Sequence, residues 1–315
     1  MTSTPAPLSR RERLSGDRRR LVGVVMGLSY GSGWAACTVW LRRMMDTYRL
    51  EPVSVIFWRD VIISLLLFLV VFSRGGLRLQ RRHVPVFILF GFVGITLNNL
   101  SWGFSVNLNG VTVATVLAYS APVFTVLLSR PLFGERITRR KLGSLVLALS
   151  GCLVVSQVYD LGNSSLTPLG IGVALAVGLT QAGRDLLGKA VCAFYPALTG
   201  IFFGFLFGTV FLGITQLQRG GLPRLPTFGW LELVLMSGGV GASYALYLGA
   251  ISRLPVSVVS IMGLSEALMA ALLAYLAYGE TLAPLQIAGA VLVISGVALL
   301  EVRAAEGVLP NDGRC

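Results

Sequence analysis

The sequence predicts an all-α membrane protein: ten transmembrane helices arranged as a 5+5 inverted repeat around a central cavity, with both termini cytoplasmic. Three observations carry this. Of 315 residues, 55% are hydrophobic and 13% charged, too apolar for a soluble domain to hide. The apolar residues fall into ten runs of roughly 20, the length that crosses a bilayer as a helix. And "LFGERITRRKLG" at 132–143 returns as "AYGETLAPLQIA" at 277–288 with its Arg and Lys removed.

The spans are 21–41, 52–73, 84–106, 111–130, 139–158, 168–188, 196–216, 229–250, 255–277 and 284–302. The runs are too long for barrel strands, and the connections too short for a soluble domain. Function therefore has to lie among the helices. Residues 1–20 read as a basic, disordered tail without the apolar core of a secretory signal, so the run from Leu21 is expected to remain as an anchor. Residues 303–315 form a C-terminal tail. Cys37, Cys152 and Cys192 fall in apolar runs and Cys315 near the end, with no CxxC pair. They read as small buried hydrophobes.

The net charge of +12 reads as membrane topology and not as nucleic-acid binding, because the cations sit between apolar runs. With the N-terminus inside, twenty Arg and Lys lie on the inner side and five outside, and Arg59 lies within a span. Both termini are therefore expected in the cytoplasm.

The two Gly-Glu turns, Gly134-Glu135 and Gly279-Glu280, lie 145 residues and five spans apart. An odd number of spans puts them on opposite faces, which accounts for the lost charge. The same offset carries Ser150-Gly151 onto Ser295-Gly296, Thr112 onto Ser257, Asn98 onto Ser243, Asn99 onto Tyr244 and Trp102 onto Tyr247. The chain thus divides into repeats at 21–158 and 168–302. Inverted repeats of this kind place a site near the midplane, between the halves.

The segment "NGVTVATVLAYSAPVFTVLLSRPLFGERITRRKLGSLVLALSGCLVVS" resembles the EamA domain of the drug/metabolite transporter superfamily, and "PVSVVSIMGLSEALMAALLAYLAYGETLAPLQIAGAVLVISGVALLE" reads as its second copy. The resemblance implies ten helices, a central cavity and export of amino acids or other small metabolites. One departure stands out. Where the second copy commonly has Glu-Pro in mid-helix, this chain has Glu266-Ala267. Pro122 predicts a kink in span 4, and span 9 lacks the same reason to kink.

Polar groups inside a membrane are expensive, so each is a candidate for function. Glu266 lies about 11 residues, or roughly 16 Å, into span 9; it could meet a substrate amine, carry a coupling proton, or only fix packing. Arg59 and Asp60 in span 2 need not pair, since helix neighbours point about 100° apart. For Arg59 a structural role is favoured, snorkelling outward past Trp58. Arg184 and Asp185 fall near the inner end of span 6, where snorkelling or gating fits better than binding. Asn98, Asn99 and Trp102 are expected to face Ser243, Tyr244 and Tyr247 across a cavity suited to a small amphipathic solute. Tyr30, Trp34, Tyr119, Ser120 and Gln181 are further lining candidates. The Gly23, Gly27, Gly31 and Gly204, Gly208 spacings read as close helix packing, and Glu135 and Glu280 as caps of the following helices.

Other functions fit less well. The only histidine, His83, is in a loop, no HExxH or GxSxG occurs, and no carboxylate dyad or zinc ligand set stands out, so no enzyme, metal or cofactor is expected. A flippase or carrier of lipid-linked or drug-like cargo on the same fold would need basic groups for phosphate, and the spans offer only Arg59 and Arg184. The reading is a secondary transporter of the bacterial inner membrane, with a small-molecule substrate and the lipid bilayer as partners and proton coupling left open.

Overall fold

A computed structural model of the chain describes residues 10–156, 167–219, 225–278 and 283–301. Every regular element among them is helical. They are α1 (Arg10–Tyr48), α2 (Pro52–Ser73), a 3-10 turn (Arg81–His83), α3 (Val84–Leu89), a π-helical stretch (Phe90–Leu97), α4 (Asn98–Ala118), α5 (Ala121–Phe133) and α6 (Arg139–Val155). After these come α7 (Pro168–Cys192), α8 (Ala197–Arg219), α9 (Thr227–Ile251), α10 (Val256–Gly263), α11 (Ser265–Tyr278) and α12 (Pro284–Glu301). Among the described residues, seven helices are long and apolar enough to cross a membrane, and Pro284–Leu300 is apolar but shorter. The segment read as a disordered tail is helical from Arg10, so α1 runs 39 residues, well beyond the roughly 20 that hydrocarbon needs.

Local chemistry sets the ends. Glu51 caps α2 by accepting from the Ser54 N–H, with Pro52 in the first turn. Thr167 and Pro168 do the same for α7, Thr167 accepting from the Gly170 N–H, and Thr138 starts α6. Gly134 ends α5 at φ 66°, a left-handed conformation that costs a side-chain-bearing residue more. The wide π turn is tied down by Thr96, whose hydroxyl donates to the carbonyls of Gly91 and of Gly208 on α8.

Contacts between distant residues sort the helix ends. Where α1 starts, Gly23 meets Leu254, Lys189 donates to the carbonyls of Ile251 and Leu254, and Glu135 accepts from the Val256 N–H. We call this the near end. At the far end, Tyr48 donates to Glu232, Ser54 to Gln216, Asn109 to the Gly170 carbonyl and Gln286 to the Val155 carbonyl. Asn98 donates to the Val177 carbonyl, and Ser120 lies on neighbouring Gly178. A straight helix would carry positions 98 and 120 about 30 Å apart, so α4 does not run straight over its whole length.

Contacts recur one repeat length apart. Ser144 donates to the Gly296 carbonyl, and Gly151 lies against the Gly289 backbone; the offset of 145 turns each contact into the other. α1 packs on α9 as α7 packs on α4, and α1 on α11 as α7 on α5. The glycine stripe on α1 seats the span-9 helices: Gly27 faces Met262, and Gly31 faces Ser265 and the Glu266 backbone. Span 9 corrects the expectation about kinking. It is broken at Leu264, between α10 and α11, one repeat from the break at Tyr119–Ser120. The break does not need a proline.

Candidate functional site

A cavity of about 100 Å³ lies between the middle of the bundle and its far end. α1 contributes Tyr30, Trp34, Cys37, Thr38 and Leu41, α2 contributes Ile56 and Arg59, and α4 contributes Asn98, Asn99, Trp102, Thr115 and Ala118. Tyr119 at the first break, Val177, Gln181 and Arg184 on α7, Met236 and Val240 on α9, and Glu266 at the second break complete it. A smaller recess of about 20 Å³ continues toward the near end between the two breaks, bordered by Pro122, Tyr247, Ser260, Gly263 and Leu264. Glu266, Arg184, Gln181, Tyr30 and Tyr119 border both spaces. Beyond the recess the near end is packed shut: Leu248, Ile251, Val256, Val259 and Met262 are wholly buried.

Two guanidinium groups face this space, and each carries its own carboxylate. Arg59 pairs with Asp60 at 2.8 Å, and Asn99 bridges them, donating to Asp60 at 2.7 Å and accepting from Arg59 at 3.4 Å. Arg184 pairs with Asp185 at 3.3 Å and donates to the Tyr244 hydroxyl at 3.2 Å. Its guanidinium lies over the Tyr244 and Tyr247 rings at 5.4 and 5.6 Å, within cation–π range. The sequence reading left Arg59 and Asp60 free to pair or not, and made no statement on pairing for Arg184 and Asp185. Helix neighbours do diverge at Cβ, but arginine's long stem curls back, and burial makes an unpaired charge too costly. Neither arginine snorkels; they are 5% and 2% exposed.

Asp185 lies behind Arg184, out of the cavity. It accepts from Thr125 on α5 at 3.4 Å and from Ser260 on α10 at 3.1 Å. One buried carboxylate on α7 therefore ties together both broken helices. Sequence reasoning missed Thr125 and Ser260, as it missed Thr115, which the 145 offset pairs with Ser260.

The expected wall is rearranged. Asn98 and Asn99 line the cavity, but Asn98 anchors on α7, donating to Val177 O and the Thr180 hydroxyl at 3.3 and 3.2 Å. Tyr244 stands behind Trp34, ring to ring at 5.2 Å, and does not line the space. Ser243 donates to its own helix at the Gly239 carbonyl. Tyr247 borders only the recess and packs on Tyr30 with tilted rings, centroids 4.5 Å apart. Ser120 is pressed on Gly178 with no hydrogen-bond partner for its buried hydroxyl, and so is its repeat mate Ser265 against Gly31.

Glu266 lies in the first turn of α11, where the helix dipole favours negative charge. Among the described residues its carboxylate has no hydrogen bond or ion pair. Glu135 corrects another expectation: it caps α10 in the other half, accepting from the N–H groups of Val256 and Ser257 and from the Ser257 hydroxyl, with Lys141 beside it at 3.3 Å. The turn holding Glu280 lies outside the described residues, as does Cys315.

Comparison with known proteins identifies the family. The probable terminal-alkyne amino-acid exporter of Streptantibioticus cattleyicolor is 27% identical over 276 residues, covering 86% of this chain and 90% of that one. The pseudopaline exporter CntI of Pseudomonas aeruginosa is 27% identical over 140 residues, 44% of this chain and 48% of its own. A solved crystal structure superposes with a TM-score of 0.76 at 18% identity, over 92% of this chain and 99% of the other, which speaks for the fold alone. The EamA-like transporter family model matches residues 21–157 and 168–302, nearly the whole helical body, and the chain belongs to that family: it is a multi-pass membrane transporter and not an enzyme.

Proposed function

We propose that this chain exports amino acids or similar small metabolites across a bacterial inner membrane by alternating access. Two five-helix halves, 21–158 and 168–302, would rock around the cavity, with the near end and both termini in the cytoplasm. The observation that carries this is the meeting of both broken helices, one repeat apart, at a single polar, aromatic-walled cavity. Irregular backbone inside a membrane is tolerated where it lines such a cavity, and broken helices at a repeat interface are how transporters build a midplane site. The matched contacts across the 145 offset and the basic loops gathered at the near end support the topology. A packed near end beneath a cavity in the far half corresponds to an outward-facing state. The names of the two exporters above support the direction and the substrate class.

The test is counterflow in proteoliposomes loaded with a panel of amino acids, aromatic ones included, with and without a pH gradient. Exchange of any member supports the reading. Silence from folded protein moves the assignment to drug-like or lipid-linked cargo. The latter is disfavoured because both cavity arginines are already paired with aspartates and offer no free cation for a phosphate.

A further inference from the structure

Charge balance around the cavity points to the part of the cargo that is recognised. Two guanidinium groups, Arg59 and Arg184, stand against three carboxylates, Asp60, Asp185 and Glu266. Each arginine is ion-paired with the aspartate next to it at 3.3 Å or less, and Asn99, Thr125 and Ser260 supply further hydrogen bonds to those aspartates. Glu266 is left over. It borders both the cavity and the recess and has no hydrogen bond or ion pair among the described residues. The charged and titratable groups that act on it are Arg184 from α7, already held by Asp185, together with Tyr30 from α1, Tyr119 from the first break and Cys152 from α6. Of these only Arg184 is a cation, and it is shared.

A lone carboxylate in a low-dielectric site either takes up a proton or recruits a cation. We propose, resting on the transport reading above, that cargo binds through a cationic amine at Glu266, and that this amine and a proton exchange for the one carboxylate. No covalent bond to carbon changes. Glu266 releases its proton to water as an ammonium group arrives carrying its own charge, and regains a proton when the ammonium leaves. The place of Glu266 in the first turn of α11 favours the ionised form through the helix dipole. Tyr30, Trp34, Trp102 and Tyr119 supply ring faces that suit an ammonium. A cargo carboxylate would instead meet two guanidinium groups whose charge Asp60 and Asp185 already balance.

The experiment uses the full chain in detergent and three probes sharing one ring: phenethylamine, phenylalanine and 3-phenylpropionate. Binding is measured by calorimetry from about pH 5.5 to about pH 8.5, a range over which a buried carboxylate can titrate. The amine and the amino acid are expected to bind and the acid not to. Affinity for phenethylamine should weaken up to about tenfold per pH unit on the acid side. Glu266→Gln should weaken it and remove the pH dependence, while a thermal melt shows the variant folded. Binding of the acid, failure of the amine to bind, or a pH dependence that survives in Glu266→Gln overturns the proposal. Amino-acid exchange in proteoliposomes together with a negative result here would keep the transporter and discard this recognition. Amine binding without any exchange would do the reverse.

Discussion

The two helix breaks occupy the same place in their repeats and are made of different things. At the first, Tyr119-Ser120-Ala121-Pro122, a proline sits in the first turn of α5. At the second, Leu264-Ser265-Glu266-Ala267, there is none, yet the helix still ends and restarts. The Leu264 N–H bonds back to Ile261 O at 3.1 Å and the Ala267 N–H to Leu264 O at 3.2 Å, a local tightening that resembles Tyr119 on Val116 and Ser120 on Leu117. What the sites share is a glycine on the facing helix, Gly178 on α7 and Gly31 on α1, pressed on the break serine. The break therefore follows from packing, and proline only reinforces one copy. The chemistry is divided the other way: the wholly buried Ala121 in one copy is the cavity carboxylate Glu266 in the other.

The largest effect is expected at Arg184, which neutralises Asp185, the residue joined to both broken helices. Arg184→Ala should cost about 3–5 kcal/mol, because it leaves a buried charge unpaired, and it should show as a large drop in melting temperature in detergent. Next is the packing that imposes the second break. A Cβ at Gly31 would lie 2.8 Å from the Ser265 hydroxyl and 3.4 Å from the Glu266 nitrogen, so Gly31→Val should abolish counterflow. Gly172→Val on α7, where nothing lies within 4 Å, should leave counterflow intact; equal losses from both would show that the close approach is irrelevant.

A smaller effect is expected at Glu135, which spans the halves at the near end. Glu135→Ala strips acceptors from two α10 N–H groups and should cost about 1–2 kcal/mol by thermal melt, with faster labelling of a cysteine placed at Ser257 from the near-end side. The smallest concerns proline itself. Pro122→Ala should change stability by less than about 1 kcal/mol and leave exchange intact, since the second break stands without one.

Seven of the expected spans appear as helices long and apolar enough to cross a membrane among the described residues, because hydrophobic run length is a coarse property that tertiary packing does not alter. The repeat was read from punctuation, the Gly-Glu and Ser-Gly pairs, while a contact such as Gly151 with Gly289 was not anticipated. Tyr30, Trp34, Asn98, Asn99, Trp102, Tyr119, Gln181 and Glu266 were singled out as intramembrane polar or aromatic residues, and the fold brings them to one cavity. What could not be read depends on side-chain reach and rotation. Adjacent Arg-Asp residues look divergent on a helical wheel, yet the guanidinium folds back. Tyr244 has the right depth but points behind Trp34. The π turn at Phe90–Leu97 leaves no periodicity signal, and the Thr125–Asp185–Ser260 node joins three helices that no local pattern links.

The most direct test sets Pro122→Ala beside Glu266→Gln in counterflow, using an amino acid that the wild-type protein exchanges, over a range of pH. The account predicts that Pro122→Ala exchanges like wild type with the same pH profile, while Glu266→Gln loses most exchange and its pH dependence. The reverse pattern, exchange lost with the proline and untouched without the carboxylate, would contradict it.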